Sequence, residues 1–229
     1  MASVDQVRAV REKLVADGTV VTPDGRLLDV FPVAIGPVEG AALRERVIEE
    51  GATRTLEVGL AFAISTLFLC EGLLTNGSDG RHVAIDPYQL EPGPVGATSF
   101  AGVGLRTLEE AGVRGLVDFR DEGSQIALPR LLQEGRTFDL AFVDGSHRFE
   151  AVFLDLVYVG RLLPEGGVVF VDDTQLPAIA RAVEFCVGNL AWEVEGAGRE
   201  GSSHEWLVLR TGAPDRFHRP FTEFVDFRG

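Results

Sequence analysis

Residues 138–174, FDLAFVDGSHRFEAVFLDLVYVGRLLPEGGVVFVDDT, decide the fold because they form one strand–helix–strand pattern. FDLAFV is a short apolar run that stops at Asp144, and VVFV is a second run that leads up to Asp172. Between them, apolar residues recur at helical spacing over residues 148–163. Strands that are apolar throughout and joined by a helical crossover indicate a parallel sheet that is buried on both faces.

The same alternation extends along the chain in both directions. Further strands are predicted at residues 53–59, 81–86, 115–120, 191–196 and 205–210, the last two separated by a linker of glycine, serine and charged residues. Further helices are predicted at residues 4–17, 38–50, 65–74, 124–133 and 176–190, with one more from Thr98 or Ser99 to about Ala111 and a small hairpin at 19–30. This alternation predicts a doubly wound α/β sheet.

Composition limits the classes of partner and compartment. The formal net charge of the 229 residues is −14 and no Lys/Arg-rich patch is present, which argues against a nucleic-acid partner. The first residues, MASVDQVRAVREK, lack the apolar segment of a signal peptide, and no apolar run reaches the roughly 18 residues of a membrane span. Cys70 and Cys186 lie in apolar, helix-like stretches, which favours buried free thiols over a disulfide. We therefore expect a cytoplasmic protein without a membrane partner.

Polar residues cluster where the two central strands end. Asp144 and His147 follow the first strand, and Asp172 and Asp173 follow the second. Ligands of open α/β sheets bind outside the carboxyl ends of the strands, so these residues are candidates for chemistry. In the simpler interpretation, the paired aspartates cap a helix and His147 is a surface loop residue.

Two earlier strand ends carry the pattern of a nucleoside-binding site. LEVGLAFAIST, residues 56–66, is a strand followed by a glycine turn, with Ser65 near the start of the next helix. The absence of GxGxxG argues against a nicotinamide or flavin cofactor. Asp86 ends the next strand and could bind both hydroxyls of a ribose, although a turn residue before Pro87 is the alternative.

A third strand end contributes a candidate for base recognition. FRDEGSQIAL, residues 119–128, places Ser124 and Gln125 where they could bond the edge of an adenine. By itself, Ser124 is more simply interpreted as the N-cap of a helix.

These motifs, in this order, resemble the class I S-adenosylmethionine-dependent methyltransferases. Within that class the chain is similar to the small metal-dependent O-methyltransferases of the catechol and caffeoyl-coenzyme A type, and to bacterial sugar and natural-product relatives with a DGxH pattern. The resemblance covers about residues 35–210. It implies a Rossmann-like α/β fold: a doubly wound, mostly parallel seven-stranded sheet with an antiparallel last strand and helices on both faces.

The resemblance also implies site residues. Those that match cofactor-binding positions are Ile35, Gly36, Glu57, Gly59, Ser65, Asp86, Ser124, Gln125 and Asp144. Those that match the metal ligands are Asp144, Asp172 and Asp173. Among the cofactor-binding positions, Asp86 would hold the ribose, and Ser124 and Gln125 would hold the adenine. The methionine end would be bound by Ile35, Gly36, Gly59 and Ser65, and Glu57 would support the glycine turn. The catalytic residues would be Asp144 and His147, which stands where catechol-type enzymes have a lysine.

Three positions depart from the family pattern. Ala63 replaces a frequent second glycine, Asp173 replaces a common asparagine, and His147 replaces the lysine. Ala63 could tighten the cofactor pocket, and Asp173 adds a negative charge. His204 and His218 are interpreted as surface residues, although His204 could reach a substrate.

The predicted domain division follows from the extent of the resemblance. Residues 1–36 would be an N-terminal helix and hairpin that cover the substrate or form a dimer contact, and residues 37–211 the methyltransferase domain. The phenylalanine-rich tail, residues 212–229, would pack on the domain or on a second subunit, which makes a homodimer plausible.

The predicted function is that of an S-adenosylmethionine-dependent O-methyltransferase acting on a small hydroxylated molecule, such as a natural-product intermediate or a sugar. Three carboxylates suit Mg²⁺ or another hard divalent cation, which would activate the acceptor hydroxyl. His147, with an ordinary pKa near 6.5, would take the proton at neutral pH. Two alternatives stay open: a metal-independent N- or C-methyltransferase, and a non-catalytic domain with the same fold.

Overall fold

The computed structural model of the chain describes residues 2–77, 80–90, 99–201, 204–213, 220 and 222–226. Its strands are β1 (Thr19–Val21), β2 (Leu27–Asp29), β3 (Arg54–Val58), β4 (Arg81–Ile85), β5 (Val117–Arg120), β6 (Leu140–Val143), β7 (Val168–Val171), β8 (Glu193–Glu200) and β9 (His204–Arg210). Its helices are α1 (Val4–Asp17), α2 (Pro37–Glu49), α3 (Ile64–Thr75), α4 (Val103–Glu110), α5 (Ser124–Gln133), α6 (Phe149–Leu162) and α7 (Pro177–Leu190). None of the helices in the described residues is long and apolar enough to cross a membrane.

The predicted Rossmann-like α/β fold is confirmed. A seven-stranded sheet has the strand order β5-β4-β3-β6-β7-β9-β8 and is mostly parallel, with β9 antiparallel to both β7 and β8. A separate antiparallel hairpin of β1 and β2 follows α1, as the sequence predicts. The chain divides into two compact units, Met1–Gly123 and Ser124–Gly229.

In the first unit, the parallel strands β3, β4 and β5 are joined by helical crossovers. β3 and β4 each begin with an exposed arginine, Arg54 and Arg81, and are buried from there on. The helix α3 is buried over ten of its twelve residues and packs against both α1 and α2. Its apolar composition, with a mixture of leucine, isoleucine and phenylalanine, is typical of a helix that is covered on more than one side.

A buried carboxylate fastens the two outer helices of this unit to α3. Glu71 of α3 is 1% exposed, and its two oxygens accept hydrogen bonds from the guanidinium groups of Arg8, Arg11 and Arg44 at 3.0–3.3 Å. Arg8 and Arg11 belong to α1, and Arg44 belongs to α2. Arg11 is also buried and lies over the ring of Phe68, 4.1 Å from its centroid. The N-terminal helix is therefore held by charge as well as by apolar packing.

In the second unit, β6 and β7 pair in parallel, and all eight of their residues are buried. β9 then adds antiparallel to β7, with Val171 opposite Leu207. Near the C terminus, Asn189 of α7 forms two hydrogen bonds with the backbone of Val225, of 2.9 and 3.0 Å. This part of the tail packs on its own domain, while residues 214–219, 221 and 227–229 lie outside the described part of the chain.

Two element boundaries differ from the predicted ones by four residues. α4 begins at Val103 and not at Ser99, because Ala101 and Gly102 adopt positive φ angles of 52° and 70° and form a turn, in which the Ser99 hydroxyl accepts from the N–H of Ala101. Thr98 lies outside the described residues. β8 continues to Glu200, through the first half of the predicted linker. Gly198 makes this possible, since a side chain there would collide with the indole ring of Trp206 on β9.

The Glu71 cluster predicts a specific loss of stability. Glu71→Gln should lower the free energy of unfolding by about 3 kcal/mol, because it leaves the buried guanidinium of Arg11 without its counter-charge. The measurement is urea-induced unfolding followed by circular dichroism. Glu12→Gln is the matched control, because Glu12 lies 3.9 Å from the same arginine but is 63% exposed, and should change stability by less than about 0.5 kcal/mol. Equal effects of the two substitutions would contradict this account.

Candidate active site

The turn after β3 holds three residues at positive φ. Gly59 (φ 101°) follows the strand, and Ala61 (φ 44°) and Ala63 (φ 70°) lead into α3. Positive φ costs an L-residue roughly 1–2 kcal/mol, so alanines stay there only where their surroundings hold the backbone. Ala63 packs in a buried apolar cluster with Leu60 and Leu67. The methyl group of Ala63 thus contributes to the core. Glycine is common at this position in related proteins because it adopts a positive φ without strain.

Asp86, at the end of β4, holds this turn in place. Its Oδ2 accepts a hydrogen bond from the N–H of Ala61 at 2.8 Å, and its Oδ1 accepts one from the N–H of Tyr88 at 2.7 Å. Asp86 is 3% exposed, and burial raises the pKa of its carboxyl. The structure thus shows the turn role that the sequence left as an alternative. The predicted ribose role stays a prediction, and Oδ1, with one hydrogen bond, retains a lone pair for it.

Gln89 is a residue of this turn that sequence reasoning missed. Its side-chain N–H₂ group donates to the carbonyl of Ala61 at 2.8 Å and to Asp86 Oδ2 at 3.1 Å, and the residue is fully buried. Its Oε1 has no hydrogen-bond partner among the described residues. The segment PYQL, residues 87–90, has the composition of an ordinary loop. Nothing in the sequence therefore indicated that Gln89 supports the turn. A buried acceptor without a donor, beside a carboxylate, fits a ligand that brings hydroxyl groups.

The other predicted cofactor residues of the first unit lie near the same turn or the start of α2. Glu57 is fully buried, accepts from the Thr66 hydroxyl and lies 3.2 Å from His82 Nε2, so it anchors the first turn of α3 as expected of a supporting residue. Ser65, in that first turn, is 7% exposed. Ile35 is buried, and Gly36 is the N-cap residue of α2.

In the second unit, Ser124 and Gln125 are the first two residues of α5. Gln125 is exposed and Ser124 is half-buried. Beneath them, Asp155 of α6 is 1% exposed, and neither of its carboxylate oxygens has a hydrogen-bond partner among the described residues. Burial raises the pKa of Asp155 to about 6, and the Ser124 hydroxyl opposes this shift.

The ends of β6 and β7 bring together the residues predicted to carry chemistry. His147 Nε2 lies 2.9 Å from Asp173 Oδ2 and 4.0 Å from Asp144 Oδ1. Asp173 has a φ of 54°, a conformation that asparagine and aspartate tolerate best among residues with a side chain. Its N–H donates to Asp172 Oδ1 at 2.6 Å. All four predicted residues therefore lie in one cluster.

The charges of this cluster shift one another's pKa values. The nearby carboxylates of Asp144 and Asp173 raise the pKa of His147 to about 10, and the same ring lowers the pKa of Asp173. Burial, with the charges of Asp172 and Asp173, raises the pKa of Asp144 to about 8. His147 is therefore an imidazolium at neutral pH in this arrangement, unlike the expected imidazole with a pKa near 6.5. The sequence could not show this, because the shift comes from two carboxylates on different loops.

His204 and Gln175 complete the cluster. Gln175 donates from Nε2 to Asp173 Oδ1 at 2.6 Å, and His204 Nδ1 lies 3.7 Å from the same oxygen. Two groups have ligand atoms within 4.8 Å of one another and could hold a metal ion: Asp144, His147 and Asp173, and Asp172, Asp173 and His204. The donor set of carboxylate oxygens and imidazole nitrogens fits a divalent cation.

Comparison with known proteins assigns the chain to a protein family. A family model described as a methyltransferase domain matches residues 56–174, which run from β3 through the turn after β7. The chain belongs to this methyltransferase family. The prediction of a class I S-adenosylmethionine-dependent methyltransferase, and with it of an enzyme, is confirmed at this level. No curated protein matches the chain.

Solved structures of methyltransferases are similar to the chain in fold. An O-methyltransferase from Bacillus cereus, in complex with SAH, has a TM-score of 0.67 at 18% identity over 90% of this chain and 91% of that one. TomG from Streptomyces achromogenes, an O-methyltransferase involved in tomaymycin synthesis and bound to SAM, has a TM-score of 0.66 at 22% identity over 90% of each chain. The SAH-bound methyltransferase PaMTH1 from Podospora anserina has a TM-score of 0.65 at 15% identity, over 92% of this chain and 89% of that one.

Asp155 predicts a pH dependence of the methyltransferase's stability. Because its folded-state pKa is about 6 and its ordinary value is 3.8, the folded state binds the extra proton between these values. Stability should therefore fall as pH rises from about 4 to about 6, by up to about 3 kcal/mol, and stay lowered above that. Asp155→Asn removes this pH-dependent contribution. The free energy of unfolding of the variant, relative to that of the wild type, should therefore increase as pH rises from about 4 to about 6.

The check is urea unfolding of both proteins at several pH values, since the contributions of all other titrating groups are common to both. Asp29→Asn, at an exposed residue of β2, serves as the control and should follow the wild-type curve. Parallel curves for wild type and Asp155→Asn would refute the assignment.

Proposed function

We propose that this protein is an O-methyltransferase that transfers a methyl group from S-adenosylmethionine to a small hydroxylated molecule with the help of a divalent cation. The observation that carries this proposal is the cluster of Asp144, Asp172 and Asp173 at the ends of β6 and β7, in a chain of the methyltransferase family. The solved structures of similar fold that are named as O-methyltransferases support the choice of oxygen as acceptor.

The cofactor part of the proposal rests on the turn after β3. S-adenosylmethionine, when bound, supplies a sulfonium methyl group that is open to attack by a nucleophile. We assign the ribose hydroxyls to Asp86, whose free lone pair and buried position suit them, and we assign to Gln89 the positioning of Asp86. Gly59, Ser65, Ile35 and Gly36 are assigned to the methionine end. Glu57 supports the turn through Thr66.

The remaining assignments concern residues of the second unit. Ser124 and Gln125 are assigned to the adenine, as the family resemblance implies. Asp144, Asp172 and Asp173 would hold the divalent cation, which would lower the pKa of an acceptor hydroxyl bound to it. The cation would neutralise the carboxylates that raise the pKa of His147, so that His147 Nε2, on a side chain that is 52% exposed, would accept the proton of that hydroxyl. The mostly apolar environment beneath them strengthens every charge interaction within the cluster.

The acceptor is proposed as a natural-product intermediate or a sugar. The net charge of −14 disfavours polyanionic acceptors such as coenzyme A thioesters. TomG, which acts in tomaymycin synthesis, supports an acceptor of the natural-product class.

One observation favours a second candidate, a metal-independent N- or C-methyltransferase. His147 already balances the charge of Asp173 through a 2.9 Å ion pair, so these two residues can coexist without a cation. Full turnover in a chelator would favour this candidate over the metal-assisted one.

The cofactor assignment predicts ligand-dependent stabilisation. S-adenosylhomocysteine at about 100 times its dissociation constant should add roughly 2.7 kcal/mol, or about 5–10 °C in the melting temperature. Asp86→Asn should weaken S-adenosylhomocysteine binding at least tenfold, a loss of about 1.4 kcal/mol, because the ribose hydroxyls lose a charged acceptor. Thermal unfolding with and without S-adenosylhomocysteine measures both the stabilisation of the wild type and the loss of affinity in Asp86→Asn. Each protein is compared with its own ligand-free melting temperature. Asp29→Asn should bind as the wild type does, and an unchanged affinity of Asp86→Asn would exclude the ribose role.

The metal assignment predicts a separate effect on turnover. Asp144→Asn and Asp172→Asn should abolish the stimulation of turnover by divalent cations, because metal ligands are lost. Asp172→Asn should also leave S-adenosylhomocysteine binding intact, because Asp172 is assigned to the metal alone and the turn after β3 is not altered. Formation of S-adenosylhomocysteine from a panel of catechols, sugars and hydroxylated peptides measures turnover, with and without chelator. Normal metal-stimulated turnover of either variant would remove the metal from the proposal.

A further inference from the structure

The antiparallel pairing of β9 brings a histidine to the end of β7. His204 is the first residue of β9, and the register that sets Val171 opposite Leu207 places it next to the residues that follow β7. Thr174 fixes this junction, since its N–H and its hydroxyl both donate to the carbonyl of Glu205, at 2.8 and 3.0 Å. The position of His204 is therefore set by backbone hydrogen bonds.

Gln175 links the same junction to Asp173. Its Oε1 accepts from the N–H of Glu205 at 2.8 Å, while its Nε2 donates to Asp173 Oδ1 at 2.6 Å. One side chain thus fixes both the start of β9 and the orientation of the Asp173 carboxylate. This is the arrangement by which neighbouring residues orient the ligands of a metal ion.

The two histidines differ in what they already contact. His147 forms an ion pair with Asp173 Oδ2 at 2.9 Å. His204 Nδ1 lies 3.7 Å from Asp173 Oδ1, beyond hydrogen-bond distance, and its ring has no hydrogen-bond partner among the described residues. Its nitrogen is nevertheless within 4.8 Å of a carboxylate oxygen of each of Asp172 and Asp173, both of which are buried.

We propose that His204 is a metal ligand that acts together with Asp172 and Asp173, and that it makes the site selective for a first-row transition ion such as Co²⁺ over Mg²⁺. This inference rests on the metal site of the proposed function and adds a ligand and a preference to it. Imidazole nitrogen is a good ligand for transition ions, whereas Mg²⁺ requires oxygen ligands and water. His147, on the other oxygen of Asp173, is left to the acceptor proton.

The test compares Co²⁺ and Mg²⁺ binding to the whole protein without cofactor or substrate. Isothermal titration gives both affinities, and the visible absorption of bound Co²⁺ reports its ligands. His204→Gln should lower the affinity for Co²⁺ at least about tenfold and change the Co²⁺ spectrum, with a much smaller effect on Mg²⁺. His147→Gln is the matched control. It should keep the affinity for Co²⁺, because His147 is not a ligand of the ion in this proposal.

Three results would overturn the inference: equal losses of Co²⁺ and Mg²⁺ affinity in His204→Gln, a loss of Co²⁺ affinity in His147→Gln alone, and no binding of either ion to the wild type. Thermal unfolding of His204→Gln in chelator, expected at the wild-type temperature, shows that the variant is folded. Because no S-adenosylmethionine is present, a failure of the proposed cofactor role leaves these results unaffected. Binding of Co²⁺ that depends on His204 but is accompanied by no methyl transfer would overturn the proposed function and retain this site.

Discussion

Complete burial of the central strands is the constraint on which the rest of this structure depends. All residues of β6 and β7, and all but the first of β3 and β4, are buried, so nearly every side chain there must be apolar. An unpaired charge inside such a sheet would cost several kcal/mol. Charged groups are consequently found where the strands end, and the residues assigned to chemistry follow Val143 and Val171 directly.

Three buried carboxyl groups of the first unit, those of Glu57, Glu71 and Asp86, accept hydrogen bonds. His82 of β4 lies opposite Thr55 of β3 and is hydrogen-bonded to it, and its Nε2 lies 3.2 Å from Glu57 Oε2, which also accepts from the Thr66 hydroxyl. Glu71 is surrounded by three guanidinium groups from two other helices. Asp86 accepts hydrogen bonds from the N–H of Ala61 in the glycine turn, from the N–H of Tyr88 and from the side chain of Gln89. In each case a buried carboxylate fixes the position of a neighbouring element, and the turn that we assign to the cofactor is held from both sides, by Glu57 through α3 and by Asp86 directly.

The cluster of the second unit has the opposite balance, with more carboxylates than its one close imidazolium can neutralise. Three aspartates lie near one histidine in ion-pair contact, and the raised pKa of Asp144 reflects the remaining negative charge as well as burial. A divalent cation would relieve this excess, which is the physical reason for proposing a metal-assisted reaction. His204 lies near Oδ1 of Asp173 and His147 near Oδ2, so the two imidazoles need not compete for one role.

The sequence by itself determined the order and type of the elements and the family. Apolar runs such as VVFV and the helical spacing of residues 148–163 are local signals, and strand ends follow from them, so Asp86, Asp144, Asp172 and Asp173 were found without coordinates. Only the tertiary structure decided what these residues contact. Gln89 in its loop and His204 at the start of β9 carry no local signal, because their roles arise from a turn that folds back and from an antiparallel register. The shifted pKa of His147 likewise depends on distances between loops that are 26 residues apart in the chain, from His147 to Asp173, and such distances are set by packing rather than by neighbouring sequence.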